Sequence, residues 1–325
     1  MALTPIDEIH ALQIQAGTIG RNAGHKFENE LAAAINSFQY PLVVSRPDGR
    51  HVFSGDPANL LLQYVAYTLG IKKLEGASAI ATGALATSEE GKTWLNINGV
   101  ELSRCKSDII LTLQSEGDLP RTVGVSTKQC SNSKPTNAQL YFTTARGFVS
   151  LLRNNGLTVT ESAITSLRQF CGDSGFQPFD NPAVLVARES DPRRYFWEEA
   201  EAHGINEWQE LISTNQDAIT RLLLQKAYLG DPFTPDFLLH KTRRSNSWSS
   251  TEVAIYGIDE LVGLSRSYQG FATRSYSVRK GSYRDPAGVA HLAPRFGVIQ
   301  MQRGGQKQHP EQLQFNLEAG YFYKI

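Results

Sequence analysis

Lys106-Ser107-Asp108-Ile109-Ile110-Leu111-Thr112-Leu113 and Thr122-Val123-Gly124-Val125-Ser126-Thr127-Lys128-Gln129 decide how the rest of this chain is read. Both halves are runs of β-branched and apolar residues with no helical period, and Ser115-Glu116-Gly117-Asp118-Leu119-Pro120 between them is rich in turn formers. The pair predicts two buried strands joined as a hairpin. In an antiparallel hairpin the start of the first strand lies beside the end of the second. Asp108 opens the first strand and Lys128 closes the second, so a carboxylate and an ammonium are expected at one sheet edge.

Working outward, Gly24 to Asn36 reads as an amphipathic helix, with Phe27, Leu31, Ala34 and Ile35 on one face and Tyr40-Pro41 as its stop. Asn59 to Leu69 gives a second helix between Pro57 and Gly70. A Gly/Ala/Ser-rich passage from Gly76 to Thr87 follows, then two short strands around Asn98-Gly99, a turn pair that supplies two positive-φ positions. Beyond the central hairpin, helices are expected over Ala138–Arg153 and Val159–Phe170, a buried strand over Ala183–Ala187, and surface helices over Tyr195–Gly204 and Glu207–Leu229. From Pro232 onward strands such as Phe237-Leu238-Leu239 and Val253-Ala254-Ile255-Tyr256 alternate with turns, and Thr234-Pro235-Asp236-Phe237 reads as one of those turns. This predicts an α/β chain: residues 1–190 form a core of helix, three antiparallel strands, helix and strand, and residues 191–325 add a helical segment and a β-rich part.

Asp108, the hairpin and Lys128 resemble the core of the PD-(D/E)xK nuclease superfamily, most of all the type II restriction endonucleases, whose common core has the same element order. The resemblance implies a restriction-endonuclease-like fold and Mg²⁺-dependent hydrolysis of double-stranded DNA at a specific sequence. Asp108 then binds the metal, and Lys128 orients or activates the attacking water. The family's second acid, two positions before the lysine, is replaced here by Ser126. The missing charge is expected from Glu28, because Gly24-His25-Lys26-Phe27-Glu28 resembles a first-helix pattern in several branches of the family, with Glu30 the competing candidate. Ser126 is left to hold a metal-bound water, or to act as a spacer while the Thr127 carbonyl serves as a ligand. Glu28 is expected on a strip of the helix apart from Phe27 and Leu31. One catalytic centre per chain and two DNA strands to cut imply a homodimer. Two alternatives stay open: a same-fold defence or repair nuclease on modified or branched DNA, and a non-catalytic DNA-binding protein with a decayed nuclease core.

Composition bounds these readings. The chain has 325 residues, 41% hydrophobic and 20% charged, with no apolar run near the roughly 20 residues a bilayer span needs. Met1 to His10 carries no export signal, and three cysteines without metal-ligand spacing fit a reducing cytoplasm. The 32 basic and 32 acidic residues cancel overall, yet residues 241–307 hold 11 Lys and Arg against 4 Asp and Glu. Lys241, Arg243, Arg244, Arg266, Arg274, Arg279, Lys280 and Arg284, interleaved with aromatic and amide residues, are therefore the expected DNA contacts. No phosphate-binding glycine loop, nucleophile elbow or paired histidine motif occurs, which excludes an ATP-driven motor, an α/β-hydrolase and a zinc hydrolase.

Overall fold

The computed structural model describes residues 8–45, 51–83, 95–97, 99–102, 105–186, 194–226, 230–268, 270–277, 290–303 and 312–325. The chain divides into two compact units assembled from discontinuous stretches: 15–138, 224–264 and 319–325 in one, and 1–14, 139–223 and 265–318 in the other. The expected division at residue 190 falls inside the second unit's 139–223 stretch.

The unit that carries the central hairpin is a seven-stranded sheet with helices on one face. Helix α1 (Glu8–Ser37) precedes strands β1 (Leu42–Val43) and β2 (Val52–Gly55), helix α2 (Pro57–Thr68) and strand β3 (Lys73–Ala81). A small separate hairpin, β4 (Leu95–Ile97) and β5 (Val100–Leu102), turns at Gly99 as expected and precedes β6 (Ile109–Ser115) and β7 (Arg121–Gln129). Later stretches return to this sheet as β9 (Pro235–Lys241) and β10 (Thr251–Gly257), followed by helix α8 (Ile258–Ser265), in the order β1-β3-β6-β7-β9-β10-β2. Thus β3, β6 and β7 form the antiparallel meander, and β9 lies parallel to β7.

Two elements of the expected core are corrected. The first strand of the meander is β3, inside the stretch read as a Gly/Ala/Ser passage. The parallel strand is β9, not the apolar run that starts at Ala183; of the expected 183–187, residue 187 lies outside the described residues. Pro182–Val186 is instead a short helix, α5, whose first turn is capped by the Asn181 side chain and whose Val186 is 91% exposed. Likewise Thr234-Pro235-Asp236-Phe237 is not a turn. Pro235 opens β9, and Asp236 Oδ2 accepts from the Gly124 amide (2.8 Å) where the β7–β9 register slips. A side chain at Gly124 would run into the Thr234 carbonyl and the Ser107 hydroxyl, so the close crossing there requires glycine.

Alternation sets the faces. Ile109, Leu111 and Leu113 of β6, Val123 and Val125 of β7, Phe237 and Leu239 of β9, and Val253 and Ile255 of β10 pack against Phe27, Leu31, Ala32 and Ile35 of α1 and Leu61, Leu62 and Val65 of α2. Burying each such aliphatic side chain contributes about 1.5–3 kcal/mol. A one-residue slip of β7 would exchange that face for Ser126 and Lys128, so the register is strongly held. Helix α2 starts where Asp56 accepts from the amides of Ala58 (2.8 Å) and Asn59 (3.3 Å), with Pro57 at its first position.

The second unit contains β8 (Ala138–Thr144), α3 (Ala145–Asn154), α4 (Glu161–Cys171), α5, α6 (Ala202–Thr214), α7 (Gln216–Gln225), β11 (Phe271–Ser277), β12 (Ala290–Phe296), β13 (Ile299–Arg303) and β14 (Gln312–Leu317). Its sheet runs β11-β12-β13-β14-β8. The helix expected from Ala138 begins only at Ala145, because the Thr144 hydroxyl caps it by accepting from the Gly147 amide (3.1 Å); the preceding Tyr-Phe-Thr-Thr favours a strand. Phe148 stacks on Trp208 (5.7 Å, 18°) and meets Phe315 (4.6 Å) in its core. Among the described residues no helix is long and apolar enough to cross a membrane.

Candidate active site

Asp108 continues β6 by one residue. Its amide donates to the Val125 carbonyl and its carbonyl accepts from Thr82, both at 2.9 Å, so its backbone is fixed between β3 and β7. Its Oδ2 accepts from the Thr127 amide (2.6 Å), the Ser126 hydroxyl (3.1 Å) and the Lys128 ammonium (3.5 Å). Lys128 Nζ also donates to Ser126 Oγ (3.0 Å) and to the Thr127 carbonyl (2.7 Å). Ser126 therefore accepts from the lysine and donates to the aspartate. The Thr127 carbonyl, expected as a metal ligand, carries the lysine.

Thr127 points to the opposite face of β7, toward α1, where its hydroxyl donates to Glu28 Oε1 (3.0 Å). Glu28 lies on the buried face of α1 together with Phe27 and Leu31, at 6% exposure, rather than on a separate strip. Glu30 is solvent-facing and pairs with Lys26 at 3.8 Å. Burial, and then the negative charge of Asp108, push the Glu28 carboxyl up to about 7, against the opposing pull of Thr127 and Lys128. Its Oε2 is buried with no hydrogen-bond partner among the described residues. A side chain at Gly83 would collide with that oxygen and with His25, so glycine keeps the space beside it open.

Thr127 thus joins both carboxylates, Asp108 through its amide and Glu28 through its hydroxyl. Among the described residues no group of three or more His, Cys, Asp and Glu side chains forms a metal cluster. Two carboxylates with one orphaned buried oxygen nevertheless suit a hard cation, which needs one or two protein carboxylates and fills its other positions with water and substrate phosphate.

Several neighbours gave no signal in the sequence. His240 is the register partner of Lys128 across the parallel β7–β9 pair and is 1% exposed, with neither ring nitrogen hydrogen-bonded among the described residues. It is enclosed by Tyr321 (6.0 Å, 7°) and Phe322 (5.3 Å, 85°) of the C-terminal turn. Burial, reinforced by the charge of Lys128, pushes its imidazole down to about 3, so the ring is neutral. The Lys106 amide donates to Asp231 Oδ2 (2.6 Å), and burial with the charge of Lys128 pushes the Lys106 amine down to about 8. A single histidine in an apolar strand has no spacing to betray it, and Asp231 approaches only through the fold.

The expected DNA contacts do not all belong to one unit. Lys241 ends β9 with its ammonium 5.4 Å from the Phe27 ring centroid, Arg243 pairs with Glu252 at 2.5 Å, and Arg244 is exposed with its amide donating to the Asn132 carbonyl at 2.8 Å. Arg266 belongs to the other unit and pairs with Asp217. Arg274 lies in β11, while Arg279, Lys280 and Arg284 fall outside the described residues.

No protein-family model matches this sequence, and no curated protein matches it. Among solved structures, the crystal structure of restriction endonuclease MspI in complex with its cognate DNA is similar at 12% identity, covering 80% of this chain and 78% of that chain with a TM-score of 0.45.

Proposed function

We propose that this chain is a divalent-metal-dependent endonuclease that hydrolyses phosphodiester bonds of double-stranded DNA at a specific sequence, acting as a cytoplasmic homodimer in the manner of a type II restriction enzyme. The observation that carries the reading is the junction at Thr127. One residue ties a partly exposed aspartate and a buried glutamate together, immediately beside a lysine whose ammonium lies 3.5 Å from the aspartate. A purely structural cluster gains little from a buried glutamate oxygen with no partner, which costs stability of order 1–3 kcal/mol.

Asp108 and Glu28 would hold Mg²⁺. When bound, the ion supplies charge neutralisation at the phosphate and a more acidic attacking water. The side chains do the rest. Asp108 is held by three donors on one oxygen, which leaves Oδ1 without a hydrogen bond among the described residues. Lys128 carries three mobile donors, and moving one from the Thr127 carbonyl onto a phosphate oxygen stabilises the charge that grows there. Ser126 supports the lysine but adds no charge, so Glu28 is the second carboxylate of the site.

Supercoiled plasmid incubated with the protein and Mg²⁺ is expected to yield discrete fragments, and none after chelation. Cleavage that continues in chelator, or at an equal rate with Asp108→Asn, would sink the proposal.

A further inference from the structure

The other unit carries a pattern that the proposed chemistry does not use. In Gln300-Met301-Gln302 and Gln312-Leu313-Gln314-Phe315-Asn316, amides alternate with apolar residues. The register pairs Gln300 with Asn316 and Gln302 with Gln314, and directly opposed residues of an antiparallel pair share a face. Met301, Leu313 and Phe315 fill the core from the opposite face. The amides therefore form one neutral row across β13 and β14. Asn316 donates to the Gln302 carbonyl oxygen (3.2 Å), and Gln302 donates to that of Gln300 (2.9 Å), a chain that fixes the orientation of Gln302. Gln300 and Asn316 are buried, whereas Gln302, Gln312 and Gln314 are half-buried. Gln314 makes no side-chain hydrogen bond among the described residues, although it stands directly opposite the oriented Gln302.

A neutral amide row is a poor phosphate clamp, which calls for Lys and Arg. An amide instead presents a donor and an acceptor side by side, and that pair matches the N7 acceptor and N6 donor on the major-groove edge of adenine. We propose that Gln314, the register partner of Gln302 on β14, reads an adenine of the target sequence. The inference rests on the endonuclease reading and goes beyond it by assigning a base-reading residue.

The test is to sequence the ends produced when genomic DNA is cut in Mg²⁺ by wild type, Gln314→Ala and Gln314→Glu, each first checked for an unchanged melting temperature. The expected wild-type motif contains an A·T pair whose preference falls about 5- to 150-fold in Gln314→Ala, the other positions being kept. Gln314→Glu, which only accepts, should move the preference at that position toward cytosine, whose N4 donates. A wild-type motif shared unchanged by both variants, or one with no adenine at the relaxed position, overturns the inference and leaves the endonuclease reading standing. Uncut DNA with wild type overturns both.

Discussion

The β6–β7 hairpin has two ends built from the same two strands, and they differ in how their polar groups are satisfied. At the turn end the Thr112 and Thr122 hydroxyls bond each other (3.0 Å), Ser115 donates to Asp118 (3.0 Å), and residues 116–121 are solvent-exposed. At the open end, among the described residues, a buried glutamate keeps an oxygen without a partner, and a buried histidine keeps two such nitrogens beside a lysine. Strand propensity is similar throughout; satisfaction is not. Natural folds rarely leave buried polar atoms unpaired, so the open end is where the chain gives up stability and the turn end is where it keeps it.

The largest effect should come from the open end. Asp108→Asn and Lys128→Ala are expected to lower cleavage by about 10²–10³-fold or more while leaving the melting temperature nearly unchanged, since neither side chain packs in the core. A parallel loss of melting temperature would mean that the cluster is structural and the contrast between the ends false.

Glu28→Gln sharpens the contrast, because it should harm function and help stability. The folded carboxyl titrates near 7, above its unfolded value near 4.5. Its stabilising contribution is therefore complete below about 4.5 and is lost as pH rises through about 7. In chelator at pH 8 the glutamine variant, which cannot ionise, should exceed wild type by on the order of 2–3 kcal/mol in urea unfolding, with little difference at pH 4. Its cleavage should demand far more Mg²⁺, while Glu30→Gln, on the exposed side of α1, should change neither. Equal stability at pH 8 would show that the buried oxygen carries no cost.

His240→Phe tests the other orphaned group. A histidine held near 3 in the fold and near 6.5 when unfolded stabilises the protein above about 6.5, and that stability is lost as pH falls toward 3. Between pH 7 and pH 5 wild type should lose about 2 kcal/mol more than the phenylalanine variant. Identical pH dependence of the two proteins in chemical denaturation would place a compensating partner beside the ring.

How much of this was legible follows from the same contrast. The hairpin, the helix carrying Phe27, Leu31 and Ile35, and the turn at Gly99 were readable because each rests on local periodicity or turn chemistry. β3 was hidden because Gly76, Ala77, Ser78 and Ala79 carry little strand propensity, and its place is set by pairing with β6. Ala183-Val184-Leu185-Val186 misled in the opposite sense, since an apolar run reads as buried strand until a capping asparagine and proline make it a helix. The parallel strand β9 lies more than a hundred residues after its partner β7, a separation that no local pattern spans. In the proposed site, the nearness of Asp108 and Lys128 was visible from strand ends, whereas His240 and Asp231 arrive through that long crossover.

The smallest effect should come from the turn end, and it completes the comparison. Gly117 sits at φ 77°, in the left-handed region, and no atom lies within 4 Å of where a side chain would begin. Gly117→Ala therefore costs only backbone strain, about 1–2 kcal/mol, with no clash to relieve and no contact to gain. The substitution stands at the far end of both strands from Asp108 and Lys128, whose positions are fixed by ladder bonds to Val125 and Thr82 and by the β7–β9 register. Urea unfolding should show the loss, and the cleavage rate per folded molecule should stay within about twofold of wild type. A large fall in that rate without further loss of stability would mean that the turn positions the catalytic end, and that the two ends are one mechanical element rather than a stable half and a reactive half.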